Sequence, residues 1–361
     1  LYMKNITLKI SLVAITLVLT GAGCSLGKIQ ATSAGVAGMF VSADKGETWQ
    51  GRSLLPTAKG VMNLSTMSVY RLFSDPQDAS ALYWASRENG FVYSYDEGRS
   101  WQQPAGDLQK GYIYSIAVSP KDKCTIFVST GDRILKSEDC NRSWAEMYRE
   151  SRPNVRVSSL SVNPLEAKQV LAVENNGDLL ESADEGKSWY TINRFDKELI
   201  DIFADTMQKD VFYITSKDAG LYRSLDNGQT WEQLKDKMKD FPKANEYRRF
   251  LIQPGVSGRL YWISTYGILF STDSGSTWEA INLITPPGSA QIYGFTVNPK
   301  NINEIYYTAT INNRSTFYKS VDGGVRWSTK KLPSGQLPTV LYSHPEKEDV
   351  LYLGFTMIPK K

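Results

Sequence analysis

The stretch Ser224-Leu-Asp226-Asn-Gly228-Gln-Thr230-Trp231 is one of seven copies of the pattern S-x-D-x-G-x-[ST]-W. The other six carry Asp44 and Trp49, Asp96 and Trp101, Asp139 and Trp144, Asp184 and Trp189, Asp273 and Trp278, and Asp322 and Trp327. The tryptophans recur 42 to 52 residues apart, which is the length of one four-stranded propeller blade. Each copy lies between two strand-like runs and reads as a hairpin turn. Asp and Ser oxygens accept backbone N–H groups inside such a turn. Gly supplies the positive φ, and Trp lays its ring against the neighbouring sheet. Asn141 replaces Gly in the third copy, and Asn tolerates the left-handed region. Arg326 replaces Ser/Thr in the seventh, which predicts one lost hydrogen bond. A calcium loop is the competing reading of the aspartates, but the copies lack the acidic twelfth residue of an EF-hand.

A second signal precedes each copy: a strand-like run ending in a Pro turn, as in Phe73-Ser-Asp-Pro76 and Thr296-Val-Asn-Pro299. The fourth repeat has Phe203-Ala-Asp-Thr206 instead. Each blade therefore runs strand A, Pro turn, strand B, loop, strand C, motif, strand D. The first motif has only a C strand before it (Gly38–Val41). The C-terminus offers an A strand (Thr339–Ser343) and a B strand (Val350–Leu353) with no motif after them. Together they make one blade, whose pairing removes exposed sheet edges. The expectation is an all-β, seven-bladed propeller over residues 36–355, with a short tail at 356–361.

Residues 1–24 read as an export signal: Lys4 and Lys9, an apolar run from Ile10 to Leu19, then Gly21-Ala22-Gly23-Cys24. The last four resemble a bacterial lipobox, which implies lipidation at Cys24 and a tether over 25–35. Gly21 departs from the usual Leu, and an ordinary secretory signal is the alternative. The apolar run is short for a membrane span. Cys124 opens strand B of the third blade and Cys140 lies in its motif. Both turns fall on one face, so an exported chain is expected to join them as a disulfide, contributing about 3 kcal/mol in the chain-entropy model. The formal charge of +3 gives no footprint for nucleic acid.

Aligning the A strands gives an apolar column, Leu72, Ile116, Leu160, Ile202, Phe250, Phe295 and Leu341, expected between blades. One residue earlier stand Arg71, Ser115, Ser159, Asp201, Arg249, Gly294 and Val340, expected to face the central channel. Tyr70, Tyr114, Arg248 and Tyr293 adjoin its mouth. Arg71 and Arg249 are candidates for a carboxylate-bearing ligand, with the tyrosines as stacking surfaces. The competing reading is a water-filled channel with Asp201 and Arg249 paired across neighbouring blades. Loops 149–156 and 235–243 are basic and expected on the same face, the second with room for a short helix.

The motif resembles the Asp-box, or BNR repeat, of sialidases, sortilin and related propellers. A sialidase would need an Arg-Ile-Pro element and six blades; neither is present here. Asp-box xyloglucanases hold their carboxylate pair between two seven-bladed domains, and this stretch supplies one. Glycoside hydrolysis needs two facing carboxylates, yet Asp201 is the single acid of the channel column. His344 is the one histidine, so no histidine triad or metal cluster is available. Sortilin adds Cys-rich modules and has ten blades. A single seven-bladed propeller behind a lipoprotein signal resembles the photosystem II assembly-factor family and its bacterial relatives. That resemblance implies a non-catalytic, cofactor-free, monomeric propeller, anchored outside the cytoplasm, that binds an envelope or membrane protein through arginines. A carbohydrate-binding or sialidase-type hydrolase propeller is the alternative, with a glycan as ligand.

Overall fold

A computed structural model describes residues 35–358. The export signal, Cys24 and nearly all of the tether lie outside the described residues. Seven antiparallel blades follow one another around a channel. Blade 1 orders its strands Gln50–Gly51, Gly38–Ser42, Leu351–Thr356 and Leu337–Ser343 from rim to channel, so the two ends of the ring share one sheet. The register Phe40↔Leu353 closes the ring as the sequence predicted. Thr356 completes that closing strand, and Met357 N and Ile358 N donate to Ser68 Oγ and Gln336 Oε1, so 356–358 are part of the ring and not a tail. Blades 3 to 7 have four strands each, and their A strands begin at Ser115, Val157, Leu199, Tyr247 and Gln291.

Blade 2 departs from the pattern. It has Arg71–Ser74, Leu82–Ala85 and Phe91–Ser94, and its outer strand is reduced to a bridge between Tyr93 and Gln102. A hairpin absent from the sequence reading, Leu54–Thr57 with Gly60–Asn63, covers that edge. Trp101 donates its backbone N–H to Leu54 O and its indole N–H to Arg52 O, both at 2.8 Å. Leu55 is buried against the same cluster as Trp84 and Trp101.

The seven motif turns share one hydrogen-bond scheme. In the fifth, Ser224 Oγ donates to Asp226 Oδ1 (2.8 Å) and accepts Gly228 N–H (2.8 Å). Asp226 Oδ1 accepts Thr230 N–H (2.9 Å) and Oδ2 accepts the Thr230 hydroxyl (2.5 Å). Arg326 does not lose the last bond: its Nε donates to Asp322 Oδ2 at 3.2 Å, a guanidinium in place of a hydroxyl. Asn141 does take positive φ, +70°. The residue before it is also left-handed in every copy, between +57° at Lys45 and +72° at Gly323. This pair of left-handed residues turns successive N–H groups inward toward the Ser and Asp oxygens. The tryptophans pack on the preceding blade, as Trp49 on Phe317 and Trp144 on Phe91. Cys124 and Cys140 are disulfide-bonded.

The apolar A-strand column is buried between blades, from Ile116 to Leu341; Leu72 is half-buried. Aromatic rings of the B strands join it, with Tyr213, Phe250 and Trp262 in one cluster and Tyr261, Phe295 and Tyr307 in the next. This packing holds the first residues of each A strand at the channel wall.

Candidate functional site: the channel mouth

The A strands of blades 4, 5, 6, 7 and 1 each carry a register shift near their channel-mouth ends. A bulge of this kind inserts one residue and re-aims its neighbours. In blade 6 the register jumps from Tyr247↔Ser264 to Arg249↔Ile263, leaving Arg248 as the extra residue. The consecutive Arg248 and Arg249 therefore both reach one cavity, which strict alternation forbids. The cavity holds about 610 Å³ and is lined by Tyr70, Arg71, Arg87, Asp201, Lys217, Glu246, Tyr247, Arg248, Arg249, Tyr293 and Thr339, among others.

Arg71 of blade 2 spans the channel and is ion-paired and hydrogen-bonded through Nη1 to Asp201 Oδ1 of blade 5. Tyr247 donates its hydroxyl to Asp201 Oδ2 at 2.7 Å. Arg249 does not pair with Asp201, contrary to the competing sequence reading; its Nε and Nη2 donate to Tyr293 O (3.2 Å) and Thr339 O (2.8 Å). The reason is reach: Arg249 lies beside the carbonyls of the next two blades, and Asp201 is engaged from across the ring. Burial and the neighbouring Arg71 charge both push the Arg249 guanidinium down from its ordinary value. Burial is the largest influence on Arg71 and opposes its charge, but Asp201, Tyr70 and Tyr247 together outweigh it and the net shift is upward. Burial and then Asp201 hold the Tyr247 phenol well above its usual range.

Arg248 Nη2 donates to Thr265 Oγ1 (3.3 Å), and its guanidinium lies 5.2 Å from the Tyr293 ring centre. Its Nε and Nη1 are buried with no hydrogen-bond partner, as is Arg71 Nε. Buried donors without acceptors are costly, and the floor of the mouth keeps these three unmet. Its acids are Asp201, already engaged, and the exposed Glu246.

Tyr70, Tyr112 and Tyr114 form the wall toward blade 3. Tyr70 meets Tyr112 edge-on at 5.1 Å, and Tyr112 stacks on Tyr114 at 3.9 Å. Arg87 sits 4.8 Å over Tyr70 and Arg156 5.9 Å over Tyr114. Tyr114 thus supports the wall and is not a lining residue of the cavity. The sequence reading missed Tyr112, Arg87 and Tyr247; the alternation of Tyr112 with Tyr114 was the signal available for the first.

The two basic loops differ. Lys235–Met238 is a 3-10 turn pinned by buried Met238, which leaves its lysines exposed. In the loop 149–156, Arg152 is consumed internally. It donates to Glu150 (2.6 Å), Glu174 (2.6 Å) and Asp178 (2.7 Å), and Tyr148 OH reaches Glu150 and Glu174 at 3.1 Å each. Burial, and then the adjoining Glu150, push the Glu174 carboxyl up to about 7. Among the described residues there is no group of three or more metal-type ligands arranged to hold an ion. Likewise, no described helix is long and apolar enough to cross a membrane.

No protein-family profile matches the chain. Over 143 residues, 33% of this chain, it is 29% identical to the xyloglucanase Xgh74A of Acetivibrio thermocellus, and it spans 17% of that protein's length. The propeller resembles the GH74 xyloglucanase of Xanthomonas campestris at TM-score 0.64 and 17% identity, covering 80% of this chain and 51% of that one. It also resembles YCF48 bound to a D1 peptide, at TM-score 0.59 and 16% identity, covering 82% of this chain and 94% of the other. These likenesses establish the propeller fold.

Proposed function

We propose that this chain is a non-enzymatic propeller, exported and held at a bacterial membrane, that binds an envelope protein through its channel-mouth face. The observation that carries the reading is the excess of buried guanidinium over carboxylate in the mouth. Arg249 has only backbone carbonyls as partners, and Arg248 keeps two buried N–H groups unpaired. An arriving carboxylate supplies what these groups lack, in the geometry that arginine prefers. The tyrosine wall and the exposed lysines of 235–243 extend the surface outward. The structural likeness to YCF48, solved with a bound peptide, supports this reading over nearly the whole of that chain's length. The Cys124–Cys140 disulfide supports an oxidising compartment.

The second reading, a glycan-binding or glycoside-hydrolysing propeller, is favoured by the xyloglucanase relatives. It meets the difficulty that Asp201 is tied to Arg71 and Tyr247, leaving Glu246 as the one uncommitted acid lining the cavity. The test is affinity capture from detergent-solubilised native membranes with wild type and Arg248→Ala/Arg249→Ala, followed by binding of the captured protein in purified form. A partner held by wild type and lost by the double variant supports the protein-binding reading. Hydrolysis or tight binding of xyloglucan by the wild-type protein, with no such partner, replaces it by the second.

A further inference from the structure

Four arginines line the mouth; Arg87 lies over the Tyr70 ring, and the other three, at the floor, are not equivalent. Arg71 is neutralised by an acid from the far side of the ring, three blades away, whereas Arg248 and Arg249 meet no carboxylate. Arg71 and Asp201 also line a second cavity of about 370 Å³ directly below, between the A strands of blades 2 to 6. The pair therefore borders both the mouth and a lower space walled by Ser74, Ser115, Ser159 and Ser161. Asp201 is itself held in place: it is 5% exposed, its carboxylate accepts Tyr247 OH, and its backbone N–H donates to Thr215 Oγ1 at 3.1 Å.

We propose that Asp201 sets the charge selectivity of the mouth by acting as an internal stand-in for a ligand carboxylate. It withdraws Arg71 from the anion-receiving set, so that Arg248 and Arg249 receive a carboxylate from outside. The inference rests on the reading of the mouth as an anion-receiving surface. Its chemical content is a count of charges. Removing Asp201 alone releases a third guanidinium, and removing Arg71 alone leaves an acid free to repel the ligand or to occupy Arg249. Removing both subtracts a neutral pair and leaves the receiving arginines as they are. A merely structural role for the pair makes no such distinction, because each loss would then weaken binding.

The experiment is a double-mutant cycle read by calorimetry at low salt, with citrate as the small carboxylate probe and hexaglutamate as the peptide probe. Relative to wild type, Asp201→Asn is expected to bind at least about tenfold tighter, and Arg71→Gln at least about tenfold weaker. The Arg71→Gln/Asp201→Asn protein is expected within about threefold of wild type. If Asp201→Asn is too unstable to assay, the double variant decides alone, since it removes the pair whole and strands neither partner. Wild-type affinity then supports the stand-in, and a tenfold loss assigns Arg71 to the ligand and overturns it. Binding by wild type without a gain in Asp201→Asn overturns the inference and leaves the mouth as the site. No binding by wild type, Asp201→Asn or the double variant overturns the reading of the mouth, and the inference with it. A gain seen for hexaglutamate and not for citrate identifies a chain segment as the source of the carboxylate; a gain for both identifies the carboxylate itself.

Discussion

The channel floor and the cluster around Arg152 are built from the same two side-chain chemistries in opposite proportion. In the floor, Arg71, Arg248 and Arg249 line one cavity whose buried acid, Asp201, pairs with Arg71. Between blades 3 and 4, Glu150, Glu174 and Asp178 converge on Arg152, with Arg194 at 3.4 Å from Asp178. Both imbalances are buried, and burying an uncompensated charge is expensive. A surplus of acid can be relieved from water by a proton, which is what the raised Glu174 carboxyl reports. A surplus of guanidinium has no such remedy, because arginine does not give up its proton in this range. It has to be met by carbonyls, aromatic faces or an anion from outside. The acid-rich cluster is thus self-sufficient, whereas the base-rich floor keeps buried donors that no described residue meets.

The largest effect that would sharpen this contrast is Arg152→Ala. It strands three carboxylates in one cluster, and the loss is expected at about 3–5 kcal/mol, measured by chemical denaturation at pH 8. A loss below about 1 kcal/mol would mean that the acids relax into water and the comparison fails.

Next comes Glu174→Gln, whose sign follows from linkage. The folded state raises this carboxyl from its ordinary 4.5 to about 7, so the native protein holds the proton more tightly. The associated stability is fully present below about pH 4.5 and is lost as pH rises through about 7. Across that window wild type is expected to lose about 3 kcal/mol from this group. Glu174→Gln is expected to flatten that slope, so stability measured at pH 5 and pH 8 should converge. An unchanged slope would place the proton elsewhere.

The smallest expected effect is Arg249→Met. Removing a buried guanidinium that has no carboxylate partner should change stability by less than about 1 kcal/mol in either direction. A large loss would show that Tyr293 O and Thr339 O already satisfy it as fully as an acid would, and the floor would no longer be short of an anion.

The basis for legibility differs along the chain. The motif turns were readable because their side-chain bonds are local: Ser, Asp, Gly and Ser/Thr within seven residues make them, as in Ser224 to Thr230. Seven repeats then fixed blade count, strand order and ring closure, and the shared face of the A–B and C–D turns placed Cys124 beside Cys140. The hairpin 54–63 was not readable, because its place is set by Trp101 of the next blade and not by its own composition. Arg326 also shows a local rule satisfied by an unexpected chemistry, since a guanidinium can supply the donor that a hydroxyl usually gives.

For the site, sequence alone placed Arg71, Asp201 and Arg249 at the channel and Arg248 and Tyr293 at its mouth, where they are found, but Val340 of the same column packs instead into the apolar cluster with Val69 and Tyr352. It determined the all-β ring, the face on which the turns lie and the arginine content of the opposite mouth, because these follow from period, turn chemistry and strand alternation. Only the tertiary structure decided which charges pair. Asp201 meets Arg71, 130 positions away, and not the nearer Arg249. Ring closure sets that distance, and a bulge in blade 6 brings Arg248 and Arg249 to the same cavity. Pairing across a ring depends on angles accumulated over three blades, and no window of sequence contains them.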